Sequence, residues 1–282
     1  MTMTRQTSTL LLLSLSLPLW LAGCALSENG PETSPPDLTP PPQRGIVRIG
    51  SASVMSGPDT YEQSMALALF YDPNAASPVC TRSETRNCVT HRCGAIKNVP
   101  SAGDITIKGG SEDVLLRPGT SGAYTEYRNT STLTFQRGQI LNLSASGKDV
   151  PAWQTPLTIP TQVFSLQSPS PARIDLTWVL HKTQDLALTW TPTTPGHSVR
   201  IELSQDFGQS QGTLIECVFD GSQGAGSVPA SVIAQLQTTV GINHAVGVLV
   251  GPGSEIRLSP PGWDVSVWTI GVGRTGIATI AD

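Results

Sequence analysis

The stretches Leu186-Ala187-Leu188-Thr189-Trp190 and Val199-Arg200-Ile201-Glu202-Leu203 carry apolar residues at every second position. Side chains of a strand point alternately to its two faces, so a period of two marks a strand that buries one face. A helix would space its apolar residues by three and four instead. Working outward, similar short runs between turn residues predict strands at 173–180, 185–191, 198–204, 213–220, 245–250 and 263–272. In the first half they predict strands at 46–54, 66–71, 104–108, 123–127, 132–136 and 140–144. One short helix is expected at 229–237, where Pro229 suits the first turn and Val232, Ile233 and Leu236 share a face. With 27 Gly, 23 Pro and only 13% charged residues, the composition favours sandwiches over a helical bundle.

The expected fold is therefore all-β: two β-sandwich-like domains behind a disordered proline-rich tether, with one short helix in the second. The N-terminal β domain is placed at 45–155, and the C-terminal β-sandwich domain at 156–282. Their division falls where three prolines space the segment Pro151-Ala-Trp-Gln-Thr-Pro-Leu-Thr-Ile-Pro160. The stretch from Leu186 to Pro192, followed by the strand at 199–203, resembles the B and C strands of fibronectin type III and related immunoglobulin-like domains. That resemblance implies a Trp190 packed between two sheets and says nothing of activity.

The first residues, Met1-Thr-Met-Thr-Arg5, lead into the apolar run Leu10-Leu-Leu-Leu-Ser-Leu-Ser-Leu-Pro-Leu-Trp-Leu21, the layout of a secretory signal. About a dozen residues is short of the roughly 20 that a spanning helix needs. The run ends in Leu21-Ala22-Gly23-Cys24, which resembles the lipobox of Gram-negative bacterial lipoproteins. The resemblance implies that the signal peptide, residues 1–23, is removed and that Cys24 is acylated. The first partner is then the lipid bilayer. Ala25 stands where an Asp retains such proteins at the inner membrane, so the expected location is the cell envelope, lipid-anchored at the outer membrane, on its periplasmic face or the cell surface. The chain as a whole resembles lipoproteins of Gram-negative soil bacteria, a likeness that names no activity. Residues 24–44, the lipidated cysteine and a linker with six prolines, cannot build a core and extend up to about 60 Å as polyproline II.

Removing residues 1–23 takes only Arg5 from 17 basic residues and leaves 21 acidic ones, a net charge of −5. Nucleic acid is excluded as a partner on that balance. Beyond Cys24 the disulfide candidates are Cys80, Cys88, Cys93 and Cys217, an even number in an oxidising compartment. The expectation is a cross-linked loop over 72–103 containing at least one bridge, with Cys80 to Cys88 favoured. Cys217 alternates with Ile215 and Phe219, so it is either an inert buried thiol or a staple between the halves. The competing reading is a zinc site of Cys80, Cys88, His91 and Cys93, whose spacing matches no zinc knuckle. No cofactor or metal is expected.

Two enzyme signatures fail on context. Gly208-Gln-Ser210-Gln-Gly212 lies between two strands rather than at a strand-to-helix elbow. Gly271-Val-Gly273-Arg-Thr-Gly276 precedes no helix that could receive a pyrophosphate. The histidines, His91, His181, His197 and His244, are expected on the surface or in turns. Asp175, Asp185, Glu202, Asp206, Glu216 and Asp220 are expected to alternate outward into solvent. What remains is a non-catalytic envelope module that binds or scaffolds a protein or glycan, with a periplasmic or surface hydrolase as the alternative. First places to look for a ligand are Tyr124 to Tyr127, and Trp263 or Trp268 if exposed.

Overall fold

Two long hairpins organise the chain: β1 (Gln43–Ser56) with β2 (Asp59–Tyr71), and β16 (Val246–Leu258) with β17 (Trp263–Ala281). The computed structural model describes residues 42–282 apart from 57–58, 76–78, 95–98, 131–133, 170–176, 208–211 and 241–242. The signal peptide, the lipobox with Cys24, most of the linker, Asp175 and most of the Gly208–Gly212 motif lie outside the described residues.

The hairpins join because β1 runs parallel to β17, from Gln43 opposite Trp263 to Ser53 opposite Arg274. Strands of both halves thereby enter one ten-stranded sheet. Beside β16 it continues through β13 (Ser198–Gln205) and β14 (Gly212–Asp220) to the hairpin of β4 (Cys88–Cys93) and β3 (Cys80–Thr85). Its other end adds β7 (Tyr124–Thr130) beside β2, and β11 (Thr177–His181) lies parallel to β17. Two small sheets cover it. One has the order β6 (Val114–Leu116), β5 (Ile105–Lys108), β8 (Ile140–Ala145), β9 (Trp153–Thr158), and the other β10 (Leu166–Ser168), β12 (Leu186–Trp190), β15 (Ala225–Val228).

The all-β class is as the sequence indicates, and there are two sandwich-like cores. Val47, Ala68, Phe70, Val265 and Val267 of the large sheet meet Ile105, Ile107, Leu141, Leu143 and Leu157. Val199, Ile201, Leu203, Ile215, Phe219 and Val248 meet Leu188, Trp190 and Val228, with Val232 and Ile233 of a helical turn and Leu236 just after it. Trp190 is buried between these layers, 5.9 Å from the Phe219 ring, and its indole N–H donates to the Gly221 carbonyl at 2.8 Å. The helix α1 (Ala230–Ile233) follows Pro229 as expected but is a single turn.

The expected division near residue 155 is not a break in the fold. Residues Pro40–Asp282 form one compact unit, and β9 occupies the proline-spaced segment that suggested a boundary. Proline cannot donate to a ladder, which confines it to edge strands, and β9 is an edge. The polar stretch expected to be an irregular loop holds β3 and β4.

Along β16 the even-numbered residues serve both cores: Val246, Val248 and Val250 the second, Ile256 and Leu258 the first. Both sandwiches therefore lie on the same side of the large sheet. Its other side curls inward, so that β2 and β4, with five strands between them, bring Tyr71 and His91 together. Strand twist drives such coiling, and bulges increase it. The register shifts between Gly50 and Ala52 on β1 and between Val250 and Gly253 on β16. At the second bulge a Cβ on Gly273 would stand 2.2 Å from the Val250 carbonyl oxygen, so only glycine permits this approach. The Gly-x-Gly-x-x-Gly run is thus a strand bulge, not a phosphate loop.

Candidate functional site

On the inward-curled side, strands that pack apolar residues into the sandwiches turn charged residues toward one another. Arg48 (β1), Arg200 and Glu202 (β13) and Glu216 (β14) are 1–5% exposed. Glu202 and Glu216 stand directly opposite each other on neighbouring strands. Like charges in that relationship repel, and Arg48 relieves them by pairing closely with Glu216 and lying 4.0 Å from Glu202. The Arg48 and Arg200 guanidinium groups both lie over the Trp268 ring, at 4.3 and 3.7 Å from its centroid. Arg200 approaches Glu255 at 3.6 Å, and Glu255 accepts hydrogen bonds from Ser266 Oγ at 2.9 Å and Arg257 Nε at 3.1 Å.

Above this cluster is a pocket of about 130 Å³. Its floor is Arg48, Tyr71, His91, Glu216 and Trp268, all buried, and its mouth carries the more exposed Arg44, Arg82 and Arg257. Arg44 is closely paired with Asp264, its register partner across β1 and β17.

The electrostatics follow from burial. Loss of water pushes the Glu202 carboxyl up to about 7, reinforced by the Glu216 charge and opposed by Arg48. Glu216 is raised for the same first reason, with Arg48 opposing. Burial, with Arg48, Arg82 and Arg44 nearby, lowers His91 to about 3, so its ring is neutral. The Tyr71 hydroxyl lies 3.3 Å from His91 Nδ1, and the other ring nitrogen, Nε2, faces Glu216. At 3.6 Å that approach is neither an ion pair nor a hydrogen bond.

Cys24 and Asp175 apart, the expected site residues lie among the described ones. The cysteines form two disulfides, Cys80–Cys93 and Cys88–Cys217, and not the favoured Cys80 to Cys88 bridge. The tight turn at Arg86 and Asn87 sets the register of β3 and β4, placing Thr85 opposite Cys88 and Cys80 opposite Cys93. Cys217 is opposite Cys88 on β14, so it is the staple between the halves rather than a free thiol. These bridges consume the thiols of the zinc alternative. Among the described residues, no cluster of His, Cys, Asp or Glu could hold a metal.

His91 is buried at 5%, not on the surface, and Glu202 and Glu216 do not face solvent. The two glutamates do alternate away from the apolar core, but the curled sheet covers their side. Asp185 and Asp220 are exposed, and His244 sits in a turn close to Asp206. Trp263 and Trp268 are buried; Tyr124 is buried with its hydroxyl bonded to Ser101, Ala102 and Gly103, while Tyr127 is 60% exposed. The missed residues are Arg48, Arg200 and the Glu202–Glu216 pair. A signal was present: Arg48, Arg200 and Glu202 are each set between large apolar neighbours in a strand, as in Val199-Arg200-Ile201-Glu202-Leu203, and Glu216 between Ile215 and Cys217. No protein-family model matches this chain, and no curated protein matches it significantly.

Proposed function

We propose that this chain is a membrane-anchored cell-envelope lipoprotein whose β body is a non-catalytic binding or scaffolding module. The acylated Cys24 holds it at the outer membrane, and the proline-rich tether carries the body toward an envelope protein or glycan. One observation carries the non-catalytic reading: the pocket's titratable groups are committed to one another. Arg48 is taken by Glu216, Arg44 by Asp264 and Arg257 by Glu255. His91, the single imidazole on the pocket wall, titrates near 3 and is too weak a base for neutral pH. The hydrolase alternative would need the Glu202–Glu216 pair open to substrate, and the two residues are 5% and 1% exposed.

Two experiments test this. Cys24→Ser should move the protein from the detergent-requiring membrane fraction to the soluble or uncleaved pool; unchanged fractionation defeats the anchor. Incubation of the mature protein with ester, phosphoester and glycoside substrates should give no turnover. Turnover abolished by Glu216→Gln would install the hydrolase reading instead.

A further inference from the structure

We propose that the pocket on the inward-curled side binds a small oxyanion group, a phosphate, sulfate or carboxylate; this rests on the binding-module reading and names its ligand chemistry. Four guanidinium groups line the cavity, those of Arg44, Arg48, Arg82 and Arg257. Three carboxylates face them, from Glu216, Glu255 and Asp264. With His91 neutral, the lining guanidinium groups outnumber the lining carboxylates by one, inside a chain whose net charge is −4. The one left over, Arg82, pairs only with Glu84, a rim carboxylate 61% exposed to water that an anion in the pocket can displace. Beneath the pocket the fifth arginine, Arg200, shares the single Glu255 carboxylate with Arg257, whereas its neighbour Glu202 resists ionisation below about 7. Guanidinium groups offer planar pairs of donors that match the oxygens of these anions. A cavity needs only about 10–15 Å³ to admit a water, and 130 Å³ admits a group of several heavy atoms.

The wall carrying Arg82 and His91 is held in advance of binding. It is the hairpin of β3 and β4, whose outer strand buries little besides Cys80. One disulfide closes its base, Cys80–Cys93, and the other, Cys88–Cys217, ties it to β14. A site held rigid in this way loses less on binding than one that must order itself.

The test is isothermal titration of the mature lipoprotein in non-ionic micelles at pH 6, with phosphate, sulfate or galacturonate replacing chloride at constant ionic strength. Saturable binding beyond chloride is expected, about tenfold weaker in Arg82→Gln and in Arg257→Gln, and unchanged in Arg117→Gln, whose exposed side chain is no part of the pocket. Vesicles of phosphatidylglycerol, compared with phosphatidylcholine, distinguish the source: Arg82-dependent capture of the former assigns the group to a lipid headgroup, and preference for galacturonate assigns it to an acidic glycan. No saturable binding above chloride, or binding indifferent to both substitutions, overturns the proposal. If fractionation of Cys24→Ser and the absence of turnover still hold, the module reading survives that loss.

Discussion

Tyr71 and His91 belong to strands separated by five others in the sheet, yet the hydroxyl of one lies 3.3 Å from Nδ1 of the other. That meeting closes the curled side over the charged cluster, and it is why the cluster is dry enough for its ionisation to bear on stability.

Stability should therefore peak on the acid side of neutrality. Glu202 is raised from 4.5 to about 7, so its contribution is complete below 4.5 and lost as pH rises through 7. His91 is lowered from 6.5 to about 3, so its contribution is complete above 6.5 and lost as pH falls through 3. Between 4.5 and 6.5 the two slopes oppose each other, which gives a plateau. Outside it one slope remains, that of Glu202 up to about pH 7 and that of His91 down to about pH 3, each about 1.4 kcal/mol per pH unit. Denaturant titrations from pH 4 to 9 check this, and Glu202→Gln should flatten the alkaline limb and turn the plateau into a rise toward pH 6.5, because the His91 slope is then unopposed. An optimum at pH 8 would contradict it.

The two disulfides should differ in weight. Cys88–Cys217 closes a separation of 129 residues and Cys80–Cys93 one of 13. On the loop-entropy scale these are worth about 4–5 and about 3 kcal/mol. The double variant Cys88→Ala/Cys217→Ala should lose more, read as a shift in guanidinium midpoint. Equal losses would show that the staple between the halves constrains the unfolded chain no better than the hairpin bridge.

Trp268 should behave as a shared platform for two cations. Trp268→Ala should cost about 3–5 kcal/mol, as truncation of a buried aromatic does. A double-mutant cycle with Arg200→Met should return a coupling of about 1–2 kcal/mol. Additive losses would mean that the 3.7 Å approach carries no energy of its own.

Gly253 guards the same stack. A Cβ built there would stand 2.2 Å from Arg200 Cδ, so Gly253→Ala must push that side chain aside. The expected cost is about 1–3 kcal/mol, and most of it should vanish in an Arg200→Ala background, where the obstructing atom is gone. A cost that persists there would place the strain in the β16 backbone.

The strands at 198–204 and 213–220 were legible because one of their faces meets an apolar core, and alternation reports that directly. The full lengths of β16 and β17 were not, because Gly251-Pro252-Gly253 and the glycines from 271 to 276 read as breaks where the structure has bulges. The β3–β4 hairpin was hidden because cross-links rather than a hydrophobic face hold it. The candidate site was legible in parts only. Local pattern showed that Glu202 and Glu216 leave the core side, but what covers them includes Arg48, from the far end of the sequence, and no local pattern carries that information.

The parallel pairing of β1 with β17 also imposes an order in time. Arg44 and Asp264 are 220 residues apart in sequence, and at about 5–20 residues per second the ribosome needs roughly 10–45 s to make the intervening chain. For most of that delay the edge of β1 that β17 later takes is open, and Arg48 waits first for Glu216 and then for Trp268 to be made. The sheet's central seam is among the last to form, so the nascent protein depends on whatever shields that edge until its distal partner arrives.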